Sequence, residues 1–130
     1  MKALAVMLLL APCALGDEAA DRKAIESIVA ALNEHKQPAM DLLTPQAKQG
    51  GEASRLSELQ RLLSLPNRPW SETTVPRLVI RSIQFVTPDV ATVDAEITQY
   101  GTFQSWSVPV VLIMRKDADW RIAAIRIFGF

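Results

Sequence analysis

Cysteine is all but missing from this chain of 130 residues: Cys13, inside the apolar N-terminal segment, is the only one. A domain that begins after that segment has no disulfide, no thiolate nucleophile and no cysteine-ligated metal. Histidine is as scarce. With His35 alone a His-based metal site cannot form, and neither H-E-x-x-H nor G-x-S-x-G occurs, so zinc-protease and α/β-hydrolase chemistry lack their motifs. No metal, no cofactor and no catalytic residue is assigned from the sequence. Charge of one sign is missing too. Fourteen Lys and Arg stand against fourteen Asp and Glu with no basic block, which argues against nucleic acid or an anionic membrane surface as partner.

What is present begins with MKALAVMLLLAPCALGDEAAD. Lys2 precedes an unbroken apolar run from Ala3, and the small residues Ala14 and Gly16 stand just before Asp17. These are the parts of an export signal, and the run is shorter than the ~20 residues of a membrane span. The expectation is a signal peptide over residues 1–16, cleavage after Gly16, and a periplasmic or secreted domain over 17–130 with no membrane attachment. Acylation at Cys13 is the competing outcome; Pro12 stands where lipoprotein signals place a small, flexible residue. A domain of this length buries roughly two-thirds of its unfolded surface, enough for a core of its own.

Asp21 is placed to cap a helix whose apolar positions are Ile25, Ile28, Val29 and Leu32, the stripe of a half-buried helix. PAMDLLTP predicts a short second helix with Pro38 at its first position and Pro45 just past its end. TPQAKQGG then reads as a polar connector. From Glu52 a third helix carries Leu56, Leu59, Leu62, Leu63 and Leu65 on a core-packing face and stops at Pro66. PNRPWSETTVP has three prolines and no period, so it predicts an extended loop.

Four β-rich runs follow: RLVIRSIQFV, VATVDAEITQY, FQSWSVPVVLIMR and WRIAAIRIFGF, with short turns between them that predict an antiparallel meander. Asp94 and Glu96, two apart, share one face of their strand, opposite Ala91, Val93, Ala95 and Ile97. Arg126 is expected to approach that acidic pair over Ser105 or Ser107 as a cross-sheet ion pair. Trp120 reads as core; Tyr100 and Trp106 can form an aromatic rim with a polar handle. Strands three and four do not alternate as a sheet with one wet face should. Val111 and Ile113 oppose Trp106, Val108, Val110, Leu112 and Met114, while Ile122, Ala124 and Phe128 oppose Ala123, Ile125 and Ile127. The expectation is a homodimer through the sheet face, with Asp94, Glu96 and Arg126 near its polar margin.

VIRSIQFVTPDVATVDAE followed by VPVVLIMRKDADWRIAAI resembles the nuclear-transport-factor-2-like superfamily, in its SnoaL-like and ketosteroid-isomerase-like branches, over about residues 75–130. The resemblance implies an α+β fold, three N-terminal helices packed on a curved four-stranded antiparallel meander that leaves a cone open at one end. Pro109, within the longest strand, fits the bulge or edge such bending needs. The isomerase-like enzymes carry a general-base Asp in the interval that here reads TPQAKQGG, without a carboxylate. His35, Tyr100, Trp106, Arg126 and Asp94 are the pocket candidates. The function implied is binding of a small apolar ligand, or a scaffold role, without catalysis. An isomerase, dehydratase or cyclase using His35, Tyr100 or Asp94, and a protein-binding module using the sheet face, remain open beside it. Fold alone does not choose among them.

Overall fold

The computed structural model describes the backbone of residues 2–34, 39–64, 76–99 and 106–128, and within these the side chains from Glu18 onward. The elements run α1 (Lys2–Asn33), a 3₁₀ turn (Ala39–Leu42), α2 (Pro45–Gln49), α3 (Glu52–Leu63), β1 (Arg77–Thr87), β2 (Val90–Gln99), β3 (Trp106–Lys116) and β4 (Trp120–Ile127). The strands form one sheet in the order β1-β2-β3-β4, every neighbouring pair antiparallel. Three α-helices followed by a four-stranded meander are as the sequence predicts.

The helical half departs from expectation in detail. Helix α1 does not start at Asp21 but runs through it, and the Asp21 carboxylate is engaged elsewhere. Pro45 does lie past the end of a short helix, the 3₁₀ turn Ala39–Leu42, but it also opens α2, whose first turn is capped by Thr44, with Oγ1 accepting from the Ala47 N–H at 3.1 Å. Proline is at home in a first turn because its missing N–H has no partner there anyway. The interval expected to be a connector is thus this short helix, and the preceding stretch is only a 3₁₀ turn.

The core forms as the periodicities dictate. Ile25, Ile28, Val29 and Leu32 of α1 and Leu56, Leu59, Leu62 and Leu63 of α3 are buried against Ala91, Val93, Ala95 and Ile97 of β2 and Val108, Val110, Leu112 and Met114 of β3. Each fully buried aliphatic side chain contributes roughly 1.5–3 kcal/mol. The face carrying these residues is the inner one.

Three irregularities shape the sheet. Arg81 and Val86 are extra residues in β1, where the register with β2 slips between Ile80 and Ser82 and between Phe85 and Thr87. Ala123 is the extra residue in β4, between the pairs Ile113–Ala124 and Met114–Ile122. Bulges of this kind bend the strand and increase its twist. That at Ala123 corrects the alternation expected for β4: Ile122 and Ile125, three apart, are both fully buried, and Ala124 faces the other way. No bulge sits at Pro109. It pairs with Glu96 in unbroken register, and its carbonyl accepts from the Phe128 N–H at 3.0 Å, just beyond the end of β4. The missing donor therefore falls at the end of a ladder.

Candidate functional site

On the inner face, β2 ends on Gln99 and β3 begins on Trp106, directly opposite each other in register. Gln99 is buried and Trp106 half-buried against the core. The indole Nε1–H donates to Gln99 Oε1 at 2.6 Å. An apolar wall of Leu78, Ile97 and Val108 thus terminates in an aromatic plate and an amide. Antiparallel register and pleat alone put both residues on this side. Trp106 lies on the face that alternation predicts, with Val108, Val110, Leu112 and Met114; the pattern gives no sign of its hydrogen-bonding partner Gln99.

The other candidates fall elsewhere. Asp94 is exposed between the buried Val93 and Ala95, which puts it on the outer face with Glu96 and Arg126. Asp94 stands opposite Val111, and Val111 opposite Arg126, so a valine rather than a serine separates acid from base. The cross-sheet ion pair expected among them does not form. Glu96 instead receives Arg81 Nη2 at 2.7 Å, the guanidinium of the bulge residue, and Asp94 Oδ2 accepts from Ser82 Oγ at 3.2 Å. Arg126 Nη1 turns to Glu52 Oε1 at 2.7 Å. The register thus separates Trp106 from Asp94 and Arg126. His35 and Tyr100 lie outside the described residues. Among the described residues, no group of three or more His, Cys, Asp or Glu could hold a metal ion, and no helix is long and apolar enough to cross a membrane.

Three polar side chains that the sequence reading gave no such role fasten the helices to the sheet. Asn33, at the end of α1, is bidentate to the edge strand β1: its Nδ2 donates to the Leu78 carbonyl at 2.9 Å and its Oδ1 accepts the Leu78 N–H at 2.7 Å. Glu52, opening α3, does the same for the other edge. Its Oε2 accepts the N–H of buried Ile125 at 3.0 Å while Oε1 takes Arg126. Burial pushes the Glu52 carboxyl up, but hydrogen bonds from Arg126 and the Ile125 N–H, with the charges of Arg126 and Arg55, more than reverse this and hold it below the ordinary glutamate range. Asp21 Oδ1 accepts from Lys116 Nζ and Trp120 Nε1, both at 2.9 Å; here too burial raises the carboxyl, and the Trp120 and Lys116 contacts bring it below its usual value. Trp120 is core, as expected, with Phe85 edge-on at 5.9 Å and the Arg22 guanidinium 5.6 Å from the Phe85 ring centre.

Helices laid on the inner face of a bulged antiparallel meander define a class by architecture, the nuclear-transport-factor-2-like fold. Comparison with known proteins supports the fold and stops there. The chain is similar to a solved structure of a designed nuclear-transport-factor-2-like protein, Rd1NTF2_05 carrying five substitutions, with a TM-score of 0.53 and 15% identity over 86% of this chain and 97% of that one. No protein-family model matches the chain, and no curated protein matches it.

Proposed function

We propose that this chain is an exported, single-domain protein of the SnoaL-like branch that holds a small apolar ligand, or serves as a scaffold, without catalysis of its own. The observation that carries this is the hydrogen-bonded Gln99–Trp106 pair at the end of an otherwise apolar inner wall. Small-molecule sites are mostly apolar with a few fixed polar groups, and an aromatic plate beside an amide is such a combination. The sheet's inner wall, among the described residues, presents no carboxylate: Asp94 and Glu96 are on the other face, and Glu52 is spent on the β4 edge. This favours binding over an isomerase, dehydratase or cyclase. Export rests on the Lys2-to-Gly16 pattern.

The test is a fluorescence titration of the purified chain with the apolar probe 1-anilinonaphthalene-8-sulfonate. Saturable binding that Trp106→Ala weakens at least tenfold, with circular dichroism unchanged, is the expected result. Binding that is absent, or indifferent to Trp106, sinks the proposal.

A second reading, association of two copies through the sheet, is favoured by the outer face. Val111, Ile113 and Ala124 are half-buried there and Pro109 exposed, a contiguous apolar strip across β3 and β4. Exposed strips of this kind mark interaction surfaces when they exceed a few hundred Å².

A further inference from the structure

The two ends of the inner face are finished differently. At the β1–β2 and β3–β4 turns the end is closed by satisfied groups. Trp120 is buried there with Phe85 edge-on at 5.9 Å, and the Asp21 carboxylate takes the Trp120 indole N–H and the Lys116 ammonium, both at 2.9 Å. At the opposite end the inward strand positions are Leu78 and Ile80 of β1, Ile97 and Gln99 of β2, and Trp106 and Val108 of β3. None of these side chains is charged. Trp106 is only half-buried, so part of its surface stays open.

An indole N–H donates and never accepts. Its partner in the 2.6 Å contact is therefore the Gln99 carbonyl oxygen and not the amide nitrogen. That bond consumes the only polar group of the indole. It also fixes the ring, because Gln99 stands directly opposite Trp106 in the ladder and, at 9% exposed, holds the contact away from water. What the ring then offers is apolar surface, on which flat aromatic partners pack in offset or edge-on arrangements. An anionic group brought here finds no cation on the inward strand positions around it and no indole donor. An unpaired charge is costly in such a site.

On the basis of the ligand-binding reading above, we propose that Gln99 is the positioning residue that sets the specificity of this site. By accepting the indole hydrogen bond it presents Trp106 as an apolar plate, and the site selects a neutral, flat aromatic molecule over an anion of the same shape. Without the Gln99 oxygen the indole is free to turn and donate its N–H to an anionic ligand, and the selectivity weakens.

The experiment compares two fluorescent probes that differ by one sulfonate, neutral N-phenyl-1-naphthylamine and anionic 1-anilinonaphthalene-8-sulfonate, on the purified chain. The neutral probe is the more apolar in any site, so the readout is how the ratio of the two affinities changes between variants. Gln99→Met keeps the side-chain length and removes the acceptor. It should lower the neutral-to-anionic ratio about three- to tenfold, the worth of one hydrogen bond, chiefly by tightening the anionic probe. A second readout needs no ligand. The Trp106 indole N–H, assigned in a nitrogen–proton correlation spectrum by its loss in Trp106→Phe, is expected to be protected from hydrogen exchange in the wild type. Gln99→Met should remove that protection, and Gln99→Glu, which keeps an acceptor oxygen, should retain it; circular dichroism confirms the fold of each variant. A chain that binds neither probe, or whose binding ignores Trp106→Ala, overturns the ligand reading and the role of Gln99 with it. Saturable, Trp106-dependent binding with an unchanged ratio in Gln99→Met, or an N–H unprotected in the wild type or equally protected in Gln99→Met, overturns the role of Gln99 and leaves the ligand reading standing.

Discussion

Removing the Glu52 carboxylate should cost far more than its place on a helix surface suggests. In Glu52→Ala the N–H of Ile125, on a fully buried residue, loses its acceptor. A hydrogen bond to a charged group contributes about 1.5–3 kcal/mol. The ion pair with Arg126, whose side chain is 48% exposed, adds only about 0.2–1 kcal/mol in water. Loss of a negative charge from the first turn of α3 adds about 0.3–1 kcal/mol, and the better helix propensity of alanine returns a few tenths. The net loss expected is roughly 2–4 kcal/mol. For a domain of this size that lowers Tm by about 4 °C per kcal/mol. Urea unfolding followed by circular dichroism measures it directly. A loss under about 0.5 kcal/mol would mean that the strand edge finds another acceptor and that Glu52 is no clamp.

The same residue sets a pH dependence with a definite sign. Its folded-state carboxyl lies below the unfolded one, so its contribution is complete above the ordinary carboxylate range near pH 4 and is lost as pH falls through the lower folded value. Asp21 acts in the same direction. Glu52→Gln keeps an acceptor oxygen without the charge. It should lose about half of what alanine loses and should flatten the acid limb of the stability curve. An acid limb identical to wild type refutes the assignment.

Two further outcomes follow from named residues. Asn33→Ala leaves both polar groups of Leu78 without their side-chain partner and should cost about 1–3 kcal/mol in the same urea assay, with Asn33→Asp, which keeps only the acceptor, between it and wild type; a neutral Asn33→Ala contradicts the clamp. Intact-mass measurement of the chain recovered from its exporting host should give Asp17 as the first residue, and a chain starting at acylated Cys13 would overturn the assignment.

Strands β2 and β3 were legible because their residues answer to one rule. Alternation put Ala91, Val93, Ala95 and Ile97 inside and Asp94 and Glu96 outside, and the short turns fixed the strand order. Leucine spacing did the same for α3. Ambiguity entered where one signal has two meanings. A proline marks both a helix's first turn and the chain just past its end, and at Pro45 the deciding fact was the Thr44 hydroxyl, a cap visible only once the turn is formed. Asp21 is a good cap in isolation, but its carboxylate serves Lys116 and Trp120 from within a helix. β4 defeated alternation because a single extra residue, Ala123, reverses the phase, and nothing in a run of isoleucines and alanines marks where it falls. The partner of Arg126 was out of reach for a different reason: pattern assigns a face, whereas Glu52 lies 74 residues away along the chain.

The clamps themselves narrow how this domain can associate. An antiparallel sheet offers other chains its two edges and its uncovered face. On β4 the edge is occupied at Ile122, whose carbonyl accepts the Thr44 N–H at 2.9 Å, and at Ile125 by Glu52. On β1 it is occupied at Leu78 by Asn33, and beyond that two bulges, one of them a charged arginine, interrupt the straight run that strand addition requires. Both edges are thus guarded by polar side chains or broken register. Among the described residues, the outer face has no comparable guard at its centre, where Val111, Ile113 and Ala124 meet, and its charges stand toward the ends. Self-association through the sheet, as proposed above, would therefore proceed face to face rather than edge to edge.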